Sequence, residues 1–389
     1  MRNTGATTVT DASPDRSRSR PRVSPRVSTD GFSLAKLLLE GRAFLALIAI
    51  IIVFSLLSPY YFSVGNFLTM ASHVAIFGIL AVGMLLVILN GGIDLSVGST
   101  LGFSGVIAGF LMQGVQLTSF GVILYPPVWV VAVLVCVLGA LVGLVNGVLI
   151  AWLKVPAFVA TLGMLYVVRG AALLMTNGLT YNDLGGKPEL GNTGFEWLGF
   201  NRLLDIPIGV LVMAVIAIIG SIILNRTAFG RWLYASGGNE RAAELSGVPV
   251  KQVQVSVYML SGICAAVAGL ILSSELTSAG PTAGTSYELT AIAAVVIGGA
   301  ALTGGRGNIR GTLVGAFVIG FLSDGLVIIG VSAYWQTVFT GAVIVLAVLL
   351  NAIQYRRRVK LPSPAGGPPT SPQKDRATTA DPALEKTAG

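Results

Sequence analysis

Ten stretches of about 20 mostly apolar residues, the length that carries an α-helix across ~30 Å of hydrocarbon, occupy most of this chain. They fall near residues 43–64, 68–89, 97–118, 128–151, 156–176, 206–225, 251–273, 287–303, 311–331 and 334–352. Inside a bilayer a helix satisfies its own backbone hydrogen bonds. The pattern therefore predicts an all-α polytopic membrane protein of about ten spans, within a range of 8–11. Composition agrees: only 11% of residues are charged, against about 25% in soluble domains. The two weakest spans are the third, interrupted by Gly98, Gly102, Gly105 and Gly109, and the eighth, which is short and ends in Gly298 and Gly299.

The net charge of +8 raises the question of a nucleic-acid partner, and its distribution answers it. Residues 1–42 and 353–389 carry the whole excess, whereas residues 43–352 hold ten basic and ten acidic groups. No basic groove for nucleic acid is built into the spanning region. The Ser-, Arg- and Pro-rich beginning and the Pro-, Ala- and Thr-rich end read as disordered tails around one transmembrane domain. About forty residues precede the first apolar run, which is long enough to span, so it reads as a retained helix rather than a signal peptide. With the amino terminus inside, one side receives both tails, Lys154, Arg226, Arg231, Arg241, Lys251, Arg306 and Arg310. The other receives only Lys187 and Arg202, in a loop over 177–205 that acidic groups outnumber. By the positive-inside rule both termini are cytoplasmic, and the basic tails suit anionic lipid head groups.

Glycine accounts for 49 of 389 residues, and much of it lies within spans. Gly139, Gly143 and Gly147 repeat every four residues, as do Gly311 and Gly315, which lets helices approach closely. Two glycine-rich breaks, 89–98 and 298–311, suggest related halves, and pairing spans 2–5 with 7–10 predicts an inverted repeat. Cys136 and Cys264 sit within apolar runs as packing residues. His73 is the one histidine, so neither a His-based metal site nor a catalytic triad assembles in one chain, and helix packing is its expected role.

The inside loop 226–250 predicts a short helix. Asn239 is placed to N-cap it, Glu240 stands in its first turn, Gly247 suits the C′ position and Pro249 blocks continuation. About two turns are unstable alone in water, so this helix needs a docking partner.

The same loop, with its motifs, identifies a resemblance. Gly91-Gly92-Ile93-Asp94-Leu95-Ser96-Val97-Gly98 is followed by Val155-Pro156-Ala157-Phe158, with Thr161-Leu162-Gly163 and Arg169-Gly170 downstream. Phe229-Gly230-Arg231 precedes Gly238-Asn239-Glu240 and Leu245-Ser246-Gly247, and Tyr287-Glu288-Leu289 runs into Ala293 through Gly299. Gly304-Gly305-Arg306-Gly307 with Gly311-Thr312, and Tyr334-Trp335-Gln336, complete the set. In this order, over residues 60–350, the chain resembles the permeases of ATP-binding-cassette importers for ribose, xylose, arabinose, galactose and related polyhydroxylated solutes.

The resemblance implies a bacterial inner-membrane permease subunit for a monosaccharide or polyol. It would pair with a second copy or homologue, cytoplasmic ATP-binding subunits and an external solute-binding protein. It further implies that Arg231, Gly238, Asn239, Glu240, Ala243, Leu245, Ser246 and Gly247 form the ATPase-coupling loop. No cofactor is expected in this chain, because nothing in it reads G-x-x-x-x-G-K-[ST]. The Gly304–Gly307 run is instead expected to make an inside turn anchored at the lipid head groups.

Ionisable groups at membrane depth are costly and so mark function or pairing. Asp94 is placed either to cap the helix after it, through the amides of Ser96 or Val97, or to line an inner gate with Asn90 and Asn146. Arg169 and Asp324 stand at similar depth. They either pair, or Asp324 faces a watery pathway while Arg169 bonds backbone carbonyls; Asp324 departs from the family pattern, which commonly has an amide there. In the outer loop, Asp183, Glu189 and Trp197 offer a receptor-docking surface, or the loop simply covers the bundle. The alternative function, a self-sufficient secondary transporter or channel, needs midplane ion sites rather than a docking helix. A membrane enzyme is disfavoured, since no cluster of His, Asp and Glu suits catalysis.

Overall fold

The computed structural model describes residues 42–117 and 121–358, with isolated positions 3 and 5. The remainder of both tails, expected to be disordered, lies outside the described residues. Thirteen helices are present among the described residues: α1 (Arg42–Leu57), α2 (Val64–Leu89), α3 (Val97–Gln113), α4 (Val128–Ala151), α5 (Ala157–Thr176), α6 (Trp197–Phe200), α7 (Ile208–Arg226), α8 (Ala228–Gly238), α9 (Glu240–Leu245), α10 (Val250–Leu276), α11 (Tyr287–Ile297), α12 (Ile309–Ile328) and α13 (Ala333–Arg358). Each of the ten apolar stretches contains one of them. Six, namely α2, α4, α5, α7, α10 and α12, are long and apolar enough to cross a membrane.

The other four apolar helices are shorter, and the reasons are local. α1 stops at Leu57 before a turn in which the hydroxyl of Tyr61 donates to the Phe321 carbonyl at 3.0 Å. α3 ends at Gln113 because Gly114 turns the chain at φ +97°. The predicted eighth span shrinks to α11, whose 11 residues cover about 16 Å, half a bilayer. Residues 277–286 ahead of it are mostly extended or turn. They leave the end of α10 through a two-residue pairing with the outer loop (Tyr181 with Ala279, Asn182 with Ser278), then reach inward to α3. α13, by contrast, continues beyond residue 352 to Arg358.

Burial ranks the helices by position. A helix that is apolar all round belongs in the interior, and α2 and α10 are the two most buried spans, at 83% and 61% of their most apolar windows against 22% for α5. They run antiparallel through the centre. Around them the packing is reciprocal. α3 and α4 pack on α10, while α11 and α12 pack on α2; α3 also contacts α5, and α11 contacts α13. Exchanging α2–α5 with α10–α13 leaves this pattern unchanged, which is the arrangement that two inverted halves produce.

The α4–α10 seam is the tightest. A Cβ on Gly139 would strike the Gly262 carbonyl, and one on Gly143 the Tyr258 carbonyl, so the four-residue glycine repeat is a backbone-to-backbone contact. Cys136 and Cys264 are free thiols, and Cys264 sits in the central core.

Candidate functional site

One end of the bundle gathers α8, α9, the 89–96 break, Lys154 and the 298–310 turn. The chain leaves α7 and folds back at Thr227, whose side chain accepts from the Gly230 amide at 3.2 Å and N-caps α8. This eleven-residue helix was not anticipated as a separate element; it includes Gly238, which therefore ends α8 rather than opening the docking helix. The guanidinium of Arg231 is exposed and donates to the Thr227 carbonyl at 3.2 Å.

The docking helix itself is α9, six residues long. Asn239 accepts from the Ala242 amide at 3.0 Å, Glu240 occupies the first turn, and Gly247 takes φ +82°. Ser246 closes the helix with its hydroxyl on the Ala242 carbonyl at 2.8 Å. Ala243 is buried against the bundle, whereas Leu245 is 84% exposed. Lys154 and Glu240 approach to 3.6 Å with both side chains more than half exposed. Such a pair contributes less than about 1 kcal/mol, so Lys154→Ala is expected to shift the thermal midpoint of the purified protein by no more than a degree or two.

α8 fixes this loop to the membrane helices. The Ser236 hydroxyl donates to Asn90 Oδ1 at 3.1 Å, and the Tyr234 hydroxyl donates to the Gly307 carbonyl at 2.8 Å. Burial pushes the Tyr234 phenol up from its ordinary pKa, which keeps it a donor. Gly305 donates its amide to the Leu89 carbonyl at 2.9 Å, and Gly237 lies so close that a Cβ there would overlap that same oxygen. The Gly304–Gly307 run is thus a turn, as expected, but it is clamped between α2 and α8 rather than held only at head groups. Arg306 and Arg310 remain exposed beside it.

The 89–96 break is held by Asp94. Its Oδ1 accepts from the Ser96 amide at 3.0 Å and the Ser96 hydroxyl at 2.6 Å, and its Oδ2 accepts from the Ser261 hydroxyl on α10 at 3.1 Å. Asn146 of α4 donates to the Ser96 hydroxyl at 2.9 Å, and Thr161 of α5 donates to the Ile93 carbonyl at 3.1 Å. Asp94 and Asn146 are both buried, so in this conformation they brace the break instead of lining an opening. Removing the carboxylate strands three donors, each costing about 1–3 kcal/mol when buried and unpaired. Asp94→Ala is expected to lower the thermal midpoint in detergent by roughly 5–10 °C, with Asp94→Asn falling between it and wild type.

Arg169 and Asp324 do not pair. Arg169 Nη1 donates to the carbonyls of Pro281 at 2.5 Å and Ala283 at 2.8 Å, because the non-helical 281–283 backbone has acceptors to satisfy and α5 packs on α3 and α4, away from α12. Asp324 Oδ1 instead meets His73 Nδ1 of α2 at 3.1 Å. His73 therefore does more than pack helices. Sequence reasoning also passed over Glu288, which stands in the first turn of α11 and is so near Gly98 that a Cβ there would overlap its carboxylate.

At the opposite end the 177–205 loop is strapped down by buried Leu184 and Phe195. Asn192 donates to the Met112 carbonyl at 3.0 Å, and Ser274 donates to that of Phe195 at 2.7 Å. Asp183, Glu189 and Trp197 are left on its exposed surface.

Comparison with known proteins places this geometry. The family described as "Branched-chain amino acid transport system / permease component" matches residues 66–348. The ribose import permease protein RbsC of Escherichia coli K12 is 43% identical over 314 residues, covering 81% of this chain and 94% of the relative. RbsC of Bacillus subtilis 168 is 45% identical over 313 residues, covering 79% and 91%. The xylose transport system permease protein XylH of Escherichia coli K12 is 33% identical over 367 residues, covering 80% and 91%. No solved structure matches. A chain matched by this family over residues 66–348, nearly its whole spanning region, belongs to this family of transport-system permease components.

Proposed function

We propose that this chain is the translocation subunit of an ATP-driven importer for a monosaccharide or related polyol; its relatives are named as ribose import and xylose transport permease proteins. The basic end faces the cytoplasm and receives the ATP-hydrolysing subunits on α9; the acidic 177–205 loop faces outward, towards a solute-binding protein. Two permease subunits pair around the path, and the tails stay cytoplasmic. The observation that carries this reading is α9, an N-capped helix that exposes Leu245 while α8 ties its base to the end of α2 and to the 304–307 turn. A helix docked this way passes a push from a cytoplasmic partner into the membrane without needing a site of its own for ATP.

Reconstitution in vesicles tests it. Uptake of a labelled pentose should require ATP inside, the ATP-binding subunits and the solute-binding protein together. Uptake by the purified chain alone, driven by an ion gradient, would overturn the assignment.

A further inference from the structure

We infer that His73, Glu275 and Asp324, with the rings of Phe77 and Tyr287, form a site that receives the hydroxyl groups of the solute in the half of the protein away from α9. The inference rests on the proposed function and names where the solute is held within it.

Four different helices bring these groups together: α2 supplies His73 and Phe77, one turn apart on one face, α10 supplies Glu275, α11 Tyr287 and α12 Asp324. His73 and Asp324 are bonded at 3.1 Å. Glu275 lies within electrostatic reach of His73 and of Tyr287. The Tyr287 ring meets Phe77 edge to face with centroids 4.9 Å apart.

The cluster is incompletely used by the fold. The His73 side chain is 50% exposed. Asp324 Oδ2 is shielded from solvent and has no hydrogen-bond partner, and the Glu275 carboxylate accepts no hydrogen bond among the described residues. Ionisable groups at membrane depth are not left facing hydrocarbon. The outer faces of α4 and α5 show what a lipid surface looks like here: Val133, Val137, Leu141, Val159 and Leu174. The open side of the His73 cluster therefore borders an aqueous route.

Its chemistry suits one class of occupant. Two carboxylates accept hydrogen bonds from hydroxyl groups, an imidazole donates or accepts according to its tautomer, and aromatic rings cover the C–H face of a sugar. Polar groups that converge beside aromatic rings are what fixes the orientation of a small polar molecule in a site. With one carboxylate already shared with His73, the site is built for brief occupancy.

The test uses the whole importer in vesicles: this chain, its ATP-binding subunits and the solute-binding protein. Wild type is given whichever of D-ribose, D-xylose and L-arabinose it imports fastest, in competition with the 2-deoxy form of that pentose. Uptake per ATP hydrolysed is compared with His73→Gln, Glu275→Gln and Asp324→Asn. A site that bonds a hydroxyl loses discrimination when its partner is blunted, so at least one variant should change the pentose-to-deoxypentose uptake ratio by about tenfold, with stimulated ATP hydrolysis within twofold of wild type. Phe77→Leu, which preserves apolar bulk, should lower uptake of both sugars together. An unchanged ratio in all three polar variants would overturn the site. So would loss of the paired permease assembly on gel filtration, which would put the cluster at the contact between two copies. If wild type imports neither these pentoses nor any other monosaccharide or polyol offered in their place, the proposed function fails first and takes the site with it.

Discussion

Valine in place of Gly237 is expected to reduce solute uptake more than tenfold and to lower the thermal midpoint of the detergent-purified protein by several degrees. The added Cβ would occupy the space of the Leu89 carbonyl oxygen and crowd the Gly305 amide. Both obstacles are backbone, so no flexible side chain can swing aside. α8 must lift away from the end of α2, and the Gly305 to Leu89 hydrogen bond is lost with it. Overpacking costs about 1–3 kcal/mol and a lost hydrogen bond adds about 1. The adjacent Gly238 provides the control, because nothing stands within 4 Å of a Cβ built there and alanine favours helix. Gly238→Ala should keep wild-type uptake and melting. Equal behaviour of the two variants would show that the contact at Leu89 does not carry force from α8 and α9.

The second large effect is expected from Leu245→Asp. Leu245 contributes almost nothing to its own bundle, being 84% exposed, so melting should stay within about 0.5 kcal/mol of wild type, as for most surface substitutions. Its proposed role is to fill a pocket on the ATP-binding subunit. Burying a leucine is worth about 1.5–3 kcal/mol, and forcing a carboxylate into the same apolar place costs more. A loss of about 3–4 kcal/mol corresponds to a weakening of two to three orders of magnitude. Titration of the ATP-binding subunit against the purified permease, together with solute-stimulated ATP hydrolysis, reads this directly. Leu245→Met should restore most of the binding. Full coupling in the aspartate variant would remove α9 from the mechanism.

How far the sequence reached depended on whether a feature is local. Apolar run length is a local property, and all ten runs contain helices. The Asp94 to Ser96 hydrogen bond spans two residues and was legible, as was the Asn239 to Gly247 helix with its punctuation. α8 was not, although Ala228–Gly238 is amphipathic at helical spacing, because its glycines at 230, 237 and 238 read as breaks in a loop; Thr227 ahead of Gly230 was a further signal. The His73–Asp324 contact joins positions 251 apart, and it exists only because α12 packs on α2. Arg169 was singled out as costly, and of its two expected arrangements the one found is bonding to backbone carbonyls, here those of a turn segment, Pro281 and Ala283. Pro281 marked that segment as non-helical without saying how far into the bundle it would reach.

The reciprocal packing of α3 and α4 on α10, and of α11 and α12 on α2, limits the kinds of motion open to the protein. Each half is hooked around the other's central helix. Rocking one half against its counterpart as rigid blocks would have to unzip the glycine seam between α4 and α10, where main chains already touch. Any rearrangement between the halves must therefore leave the centre of the bundle intact. Helices that take no part in that seam, such as α5, α7 and α13, are the ones free to shift without breaking it.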